Sequence, residues 1–432
     1  FFYLRFFYLL QEMNHDEIDV PTYFLCPISL EIMKDPVTVS TGITYDRESI
    51  EKWLFSKKNK TCPITKQQLS DYTDLTPNHT LRRLIQAWCT LNASQGIERI
   101  PTPKPPINKI QIAKLIKEAS HSNLTIQIKS LKKLKSFASG SETNKRCMED
   151  AGAVEFLASI VINNSSNIDS ASLLISETNV NPADEALSIL HNLHVSEAGL
   201  KNLLAFKNGE FIGSLTKVMQ KGFFESRAYA VFLLKSMSEV AEPVQLLHQN
   251  TELFVELVQV LKDQISQKVS KAALQTLIHL CPFGRNRIKG VEAGTVPVLI
   301  ELLLENCKDR KPNEMMLVLL ECLCQCAEGR AELLRHGAGM AVVSKKILRV
   351  SSVANDRAVR ILLSVSRFSA THNVVQEMLK LGVVAKLCLV LQVDCGSKTK
   401  EKAREILKMH ARVWRDSPCI PSNLLSSYPN YI

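Results

Sequence analysis

The sequence predicts a mainly α-helical protein in two parts, a small α+β module followed by a long helical solenoid. Three observations predict it. After about residue 108 Leu, Ala, Val, Lys and Glu dominate, and the whole chain has only 16 glycines in 432 residues, which favours helices over strands. A self-similar unit recurs there every 42 to 45 residues or so, plainest as EAGTVPVLIELLLEN near Gly294, RHGAGMAVVSKKIL near Gly337 and KLGVVAKLCLVLQ near Gly382. Upstream of the repeats, residues 22–94 instead combine loops, a short alternating segment and two amphipathic helices.

In the first part, Val37, Val39, Ile43 and Tyr45 alternate around a Thr41-Gly42 turn, the pattern of a short hairpin. Asp46 stands where it would cap a helix beginning RESIEKWLF, with Ile50 and Leu54 facing inward. A second helix follows Pro77-Asn78, with Leu81, Leu84, Ile85, Trp88 and Leu91 on one stripe. The stretch PTPKPPINK cannot continue a helix and reads as an extended linker.

Beyond it, looser copies of the repeat start at DAGAVEFLASIV, KNGEFIGSLTKVM and QNTELFVELVQVL. Each copy predicts a small-residue start, an apolar helix, a polar break and a second apolar helix such as SKAALQTLIHL or RAVRILLSV. One such unit cannot bury its apolar face alone, so neighbours must stack, and the period lies in the range of armadillo or HEAT units. The Asn/Ser-rich insertion INNSSNIDSASLLISETNVNPADE in the first copy reads as a surface loop.

Composition narrows the function. With 45% apolar and 22% charged residues the chain is an ordinary folded one. Its net charge of +10 is spread thinly. The densest basic run, Lys104 to Lys135, has no interleaved aromatic before Phe137, so it reads as a solvated helix face and not as a nucleic-acid groove. Twelve cysteines occur with no C-x-x-C pair, as expected of reduced thiols in the cytoplasm or nucleus. The opening FFYLRFFYLL is too short to span a bilayer, which takes roughly 20 residues, and it lacks signal-peptide features. Residues 1–12 read as an upstream extension, with the working protein starting at Met13.

The chemistry of the module turns on CPISLEIMKDPV and, downstream, CPIT. In each, one thiolate of a zinc pair is in place (Cys26, Cys62) and Ser29 or Thr65 stands where a second would be. Four scattered candidates, Cys26, Cys62, His79 and Cys89, do not make the paired spacing of structural zinc sites. The module is therefore expected to be held by its core and by polar staples from Asp35, Asp46, Arg47, Glu48 and Asn78. Neither Cys26 nor Cys62 has a neighbour that marks a nucleophile, so both read as small buried groups. Cys322, Cys324 and Cys326 read as core residues of an uninterrupted helix. Trp53 falls at the edge of its helix stripe, which fits either a core-edge tryptophan or a half-exposed, partner-docking ring whose patch Ile28 and Pro63 could complete. No phosphate loop, Ser-His-Asp set or H-E-x-x-H motif is present.

The run FLCPISLEIMKDPVTVSTGITYDRESIEKWL, then CPITKQQL, then LTPNHTLRRLIQAWC, closely resembles the U-box of plant ubiquitin-protein ligases, and the remainder resembles their armadillo-repeat region. A U-box is similar to a RING domain whose zinc sites are replaced by hydrogen bonds and salt bridges. The resemblance implies an E3 ubiquitin-protein ligase of the RING type, with no covalent enzyme–ubiquitin intermediate. The U-box docks a ubiquitin-charged conjugating enzyme (E2), and ubiquitin passes directly to a substrate lysine held by the armadillo groove. It implies E2 docking by Ile28, Leu30, Trp53 and Pro63, and scaffold roles for Cys26, Asp35, Tyr45, Asp46, Arg47, Cys62 and Asn78. The position that bridges E2 and ubiquitin in several such ligases is an arginine, and here it is Lys66, which lacks the planar fork.

The expected organisation is an extension over 1–21, the U-box over 22–96, a Pro/Lys linker over 97–110, armadillo repeats over 111–415 and a tail over 416–432. Expected partners are an E2, ubiquitin and protein substrates, with U-box pairing into a homo-oligomer open, and with no nucleic acid and no membrane span. No cofactor or metal is expected, ATP being used only by the upstream activating enzyme. Chains for proteasomal degradation in stress and immune signalling, in the cytoplasm or also the nucleus, follow from the resemblance to the short-form group. The rival reading is a non-enzymatic armadillo scaffold with an inactive U-box, which a polar residue at Ile28, Trp53 or Pro63 would favour, and none is found.

Overall fold

The structure is a computed structural model and describes residues 19–56, 59, 61–69, 75–101, 107–120, 124–165, 181–247, 249–305 and 309–414. Residues 1–18 of the proposed N-terminal extension, the C-terminal tail, residues 102–106 of the Pro/Lys linker and most of the Asn/Ser-rich insertion lie outside the described residues. The fold is mainly helical, with one small sheet, and it divides into two compact units, residues 1–153 and 154–432.

The first unit is built around a three-stranded antiparallel sheet in the order β2-β1-β3, formed by β1 (Pro36–Thr38), β2 (Thr44–Asp46) and β3 (Thr76–Pro77). Val37 pairs with Tyr45 and Pro77, so the alternation read from the sequence puts Val37 and Tyr45 into the core. Gly42 makes the turn at φ 82°, its N–H donating to Val39. Helix α1 (Arg47–Glu51) follows β2 and continues as a π-helical turn over Lys52–Ser56, with Ile50 and Leu54 buried. Helix α2 (His79–Leu91) starts at Asn78, whose side chain accepts from the Leu81 N–H.

Two local expectations change. Asp46 occupies the N-cap position of α1, but its carboxylate accepts instead from the N–H groups of Lys34 and Asp35, at 2.8 and 3.0 Å, because the first loop has donors with no ladder to join. Helix α2 buries Ile85 and Cys89, with Leu81 and Trp88 half-buried, whereas Leu84 and Leu91 stand 52% and 81% exposed. The stripe facing the core is thus rotated from the one the leucines suggest. Ile97 and Ile100 extend the same core past the end of α2.

The first unit also contains α3 (Lys109–Ser120), α4 (Leu124–Ala138) and α5 (Glu142–Asp150), which pack on one another through Ile112, Leu115, Leu131, Leu134 and Met148. Lys114, Lys117, Lys129, Lys132 and Lys133 project from their outer faces into solvent, the solvated-face arrangement expected of the basic run. From α1, Glu51 reaches the start of α5.

Among its described residues the second unit is all helical, and its period holds three helices instead of two. One repeat comprises 286–292, 295–305 and 310–323, the next 327–335, 339–346 and 352–368, and a further one 372–380, 383–392 and 397–409. The short first helix, at seven to nine residues in these copies, was invisible to the amphipathic pattern because one or two turns bury too few apolar positions. The long third helices, 182–193, 224–240, 267–280, 310–323, 352–368 and 397–409, pack in series. Rungs between them include Arg357 to Glu321 at 3.0 Å, Lys402 to Asp356 at 3.0 Å and Arg367 to Glu405 at 2.5 Å.

The helix expected to run unbroken through Cys322, Cys324 and Cys326 ends at Leu323. Cys326 caps the next helix, and Arg330 donates to the freed Cys324 carbonyl at 3.1 Å. Cys324 is buried and Cys322 and Cys326 are half-buried.

Candidate functional site: two twin loops and the tryptophan between them

The runs CPISL and CPITK fold alike. In the first, Leu30 N–H donates to Cys26 O at 2.8 Å and Cys26 N–H to Glu31 O at 2.8 Å; in the second, Lys66 N–H donates to Cys62 O at 3.0 Å and Cys62 N–H to Gln67 O at 2.9 Å. Each loop ends on a non-glycine residue at φ 60°, Leu30 or Lys66. A left-handed backbone at such residues is strained, and it persists only where the surroundings over-determine it.

The surroundings are polar staples beneath the loops. Cys26 Sγ accepts from the Asp46 N–H at 3.3 Å. Cys62 Sγ meets the hydroxyls of Tyr45 at 3.0 Å and Thr41 at 3.4 Å. Burial alone would push the Cys62 thiol up, but hydrogen bonds from Thr41, Thr65 and Tyr45 outweigh it and hold the group down at about 6. The same burial pushes the Tyr45 phenol well above its usual range, so Tyr45 stays a donor to sulfur while accepting from the Ile64 N–H at 3.4 Å. Hydroxyl donors thus surround the Cys62 sulfur. Among the described residues no cluster of three or more His, Cys, Asp or Glu is placed to hold a metal ion.

The remaining scaffold residues join the elements. Asp35 pairs with Arg47 at 2.6 Å and with Arg82 of α2 at 3.5 Å, and Asn78 reaches Thr38 at 3.5 Å. These pairs link the first loop, α1, the sheet and α2.

On this base the structure gathers Trp53, Pro63 and Lys66. The Trp53 indole N–H donates to Thr61 O at 2.9 Å, which fixes the ring against the second loop. Lys66 Nζ donates to Pro63 O at 2.7 Å and sits 5.8 Å from the centre of the Trp53 ring. Ile28 joins through the core it shares with Trp53, while Leu30 stands out from the first loop at 75% exposure. Sequence reasoning missed Ile64, the counterpart of Ile28 in the second loop, which is 51% exposed. The repeated Cys-Pro-Ile was the signal that could have found it. Apolar side chains on hydrogen-bonded loops around a half-buried tryptophan have the composition typical of binding hot spots, with no nucleophile among them.

In the second unit, the long helices 182–193 and 224–240 bring His191 to 4.9 Å from the Tyr229 ring and 5.2 Å from Phe232. Burial, and secondarily His194, lowers the His191 pKa below its usual value. A cavity of about 310 Å³ beside them is lined by Leu190, His191, His194, Phe232, Lys235 and Ser236.

Comparison with known proteins matches both parts read from the sequence. Residues 20–94 match the family model for the U-box domain, and residues 111–430 that for the plant U-box protein ARM repeat region. The chain is 59% identical over 433 residues to the E3 ubiquitin-protein ligase PUB22 of Arabidopsis thaliana, covering 96% of this chain and 99% of that protein. It is 60% identical over 419 residues to the E3 ubiquitin-protein ligase PUB23 of the same plant, covering 96% and 98%. A solved structure from work on the interaction between cadherin and beta-catenin shares the fold at a TM-score of 0.55 and 13% identity, over 77% of this chain and 59% of that one. The chain belongs to the plant U-box proteins with an armadillo-repeat region.

Proposed function

We propose that this protein is a RING-type E3 ubiquitin transferase whose U-box docks a charged E2 through Ile28, Leu30, Trp53 and Pro63, with Ile64 added by the structure. The observation that carries the reading is Trp53, held by Thr61 beside the second loop and flanked by exposed apolar residues on loops that hydrogen bonds preshape. A preshaped surface binds without the cost of ordering its loops. The transfer chemistry belongs to the thioester of the E2. This chain contributes proximity and restriction of the conjugate, and its armadillo repeats hold the substrate.

Lys66 is directed at its own loop and at Trp53, so a bridge to ubiquitin would use its remaining N–H donors or a new rotamer. The engagement of Cys26 and Cys62 by protein donors supports a ligase that works without zinc. We place its action on stress-signalling substrates in the cytoplasm and nucleus, to be tested by imaging a fluorescent fusion and by substrate levels in plants lacking the protein. Light scattering on the purified chain tests for a homo-oligomer.

The deciding experiment is reconstitution with activating enzyme, a panel of E2s, ubiquitin and ATP, on the parent and Trp53→Ala. Chains from the parent alone, unaffected by a zinc chelator, support the proposal. Absence of chains with every E2 favours a scaffold. Chains lost on chelation overturn the zinc-free part.

A further inference from the structure

Glu51, at the end of α1, is 1% exposed. Its Oε2 accepts from the Glu142 N–H at 3.0 Å and its Oε1 from the Thr143 hydroxyl at 2.6 Å. Arg47 Nη1 lies 3.8 Å from the same Oε1. The partners on α5 are 91 and 92 residues distant in sequence, beyond the Pro-rich stretch.

Glu142 is the first residue of α5, and the Ser141 hydroxyl accepts from the Asn144 N–H at 3.3 Å. The free donors at this helix start are therefore shared between its own cap and a carboxylate from another element. An anion is favoured at such a terminus. Even so, burial outweighs these contacts and pushes the Glu51 carboxyl above its usual range. A carboxylate in so dry a place is a poor source of stability, since an apolar side chain of similar volume does as well or better. What directional partners on a buried charge supply is one geometry among many. The geometry at stake is the rotation of α1, because Trp53 follows Glu51 by two residues on the same helical segment.

We propose that Glu51 is a positioning residue, which locks α1 onto the start of α5 so that Trp53 is presented to the E2 in one orientation. The α3–α5 helices then belong to the transfer module as well as to the repeat region. The compact unit that contains the U-box extends through Ala153, in keeping with this assignment. The inference rests on Trp53 being an E2-docking residue.

The test uses the full chain as Glu51→Met, which keeps length and removes charge, and as Thr143→Val, which removes one donor. Discharge of ubiquitin from a charged E2 onto free lysine is measured against E2 concentration, alongside thermal unfolding. The expected result is a melting temperature equal to or above the parent for Glu51→Met, with KM for the E2 raised about five- to tenfold and kcat little changed, the scale of one ordinary lost hydrogen bond. Thr143→Val should raise KM about two- to threefold. Unchanged KM in both variants, or activity falling only with the folded fraction, overturns the proposal. If Glu51→Met does not fold, Thr143→Val decides alone. Trp53→Ala runs in parallel: if it keeps full activity, the docking reading itself has failed, whatever Glu51 does.

Discussion

Replacing Arg47 by Met should be the most damaging single surface-accessible change in the U-box, because one guanidinium serves two carboxylates. Arg47 Nε lies 2.6 Å from Asp35 and Nη1 3.8 Å from Glu51, and the Arg47 side chain is only 19% exposed. A hydrogen bond to a charged group contributes about 1.5–3 kcal/mol net. The Glu51 pair at 3.8 Å is worth about 4 kcal/mol gross at an effective dielectric of about 20. Against these stand the desolvation of Arg47 and about 2 kcal/mol of side-chain entropy, and Asp35 keeps Arg82 at 3.5 Å. The net loss should be about 2–3 kcal/mol, a fall of about 4–12 °C in melting temperature for a unit of this size. Trp53 and Trp88 report on this unit and Trp414 on the other, so fluorescence at each transition, followed with Trp414→Phe in the background, isolates the effect. The pH dependence adds a sign. Burial already raises the Glu51 pKa, and removing Arg47 raises it further. A raised carboxyl pKa means that the folded state takes the proton readily, so the defect should shrink as pH falls through that range and be largest at alkaline pH. A shift below 2 °C or so, or a defect that grows on acidification, would refute the reasoning.

Three further outcomes are expected. Cys62 is held at about 6, below an unfolded thiol at about 8.5, so its contribution is complete above the unfolded value and lost as pH falls through 6. Cys62→Ala should remove up to about 3 kcal/mol at pH 8.5 and flatten the stability profile between the two values; a profile with unchanged slope in urea titrations argues against a thiolate there. Lys66→Arg should speed discharge of a charged E2 about two- to fivefold, since a rigid planar fork holds two acceptors in a fixed bidentate geometry, whereas an ammonium, here directed at Pro63 O, acts as a point charge; equal or slower single-turnover rates would contradict it. Gly329→Ala should destabilise the second unit by about 3 kcal/mol, because a Cβ would stand 2.0 Å from the Leu323 carbonyl oxygen at the turn that ends 310–323; an unaltered Trp414 transition would show that the turn can yield.

Much of this protein was legible without coordinates, and for a common reason. The hairpin around Gly42, the helix capped by Asn78, the inward Ile50 and Leu54, and the repeat period all rest on spacing within a few turns or strands of sequence. Local spacing fixes which side of an element is apolar, and local geometry then follows. The half-buried Trp53 beside the second loop belongs to the same class, since its place at the stripe edge was set by Ile50 and Leu54.

What escaped the sequence depends on partners far away in the chain. Asp46 left its helix start for the amides of Lys34 and Asp35, and the exposed Leu84 and Leu91 gave way to Ile85 and Cys89, because the sheet and the loops decide which face of α2 is covered. The short first helices of the repeats have too few turns to announce themselves, and they form because neighbouring helices cover them. Glu51 is the clearest case: nothing in its local sequence marks it, and only the arrival of Glu142 and Thr143 from 91 and 92 residues away makes it a buried, hydrogen-bonded group. Periodicity determined the elements and their apolar faces, whereas tertiary packing decided which polar groups lost water, and burial without water is what gives such a group a fixed partner and a function.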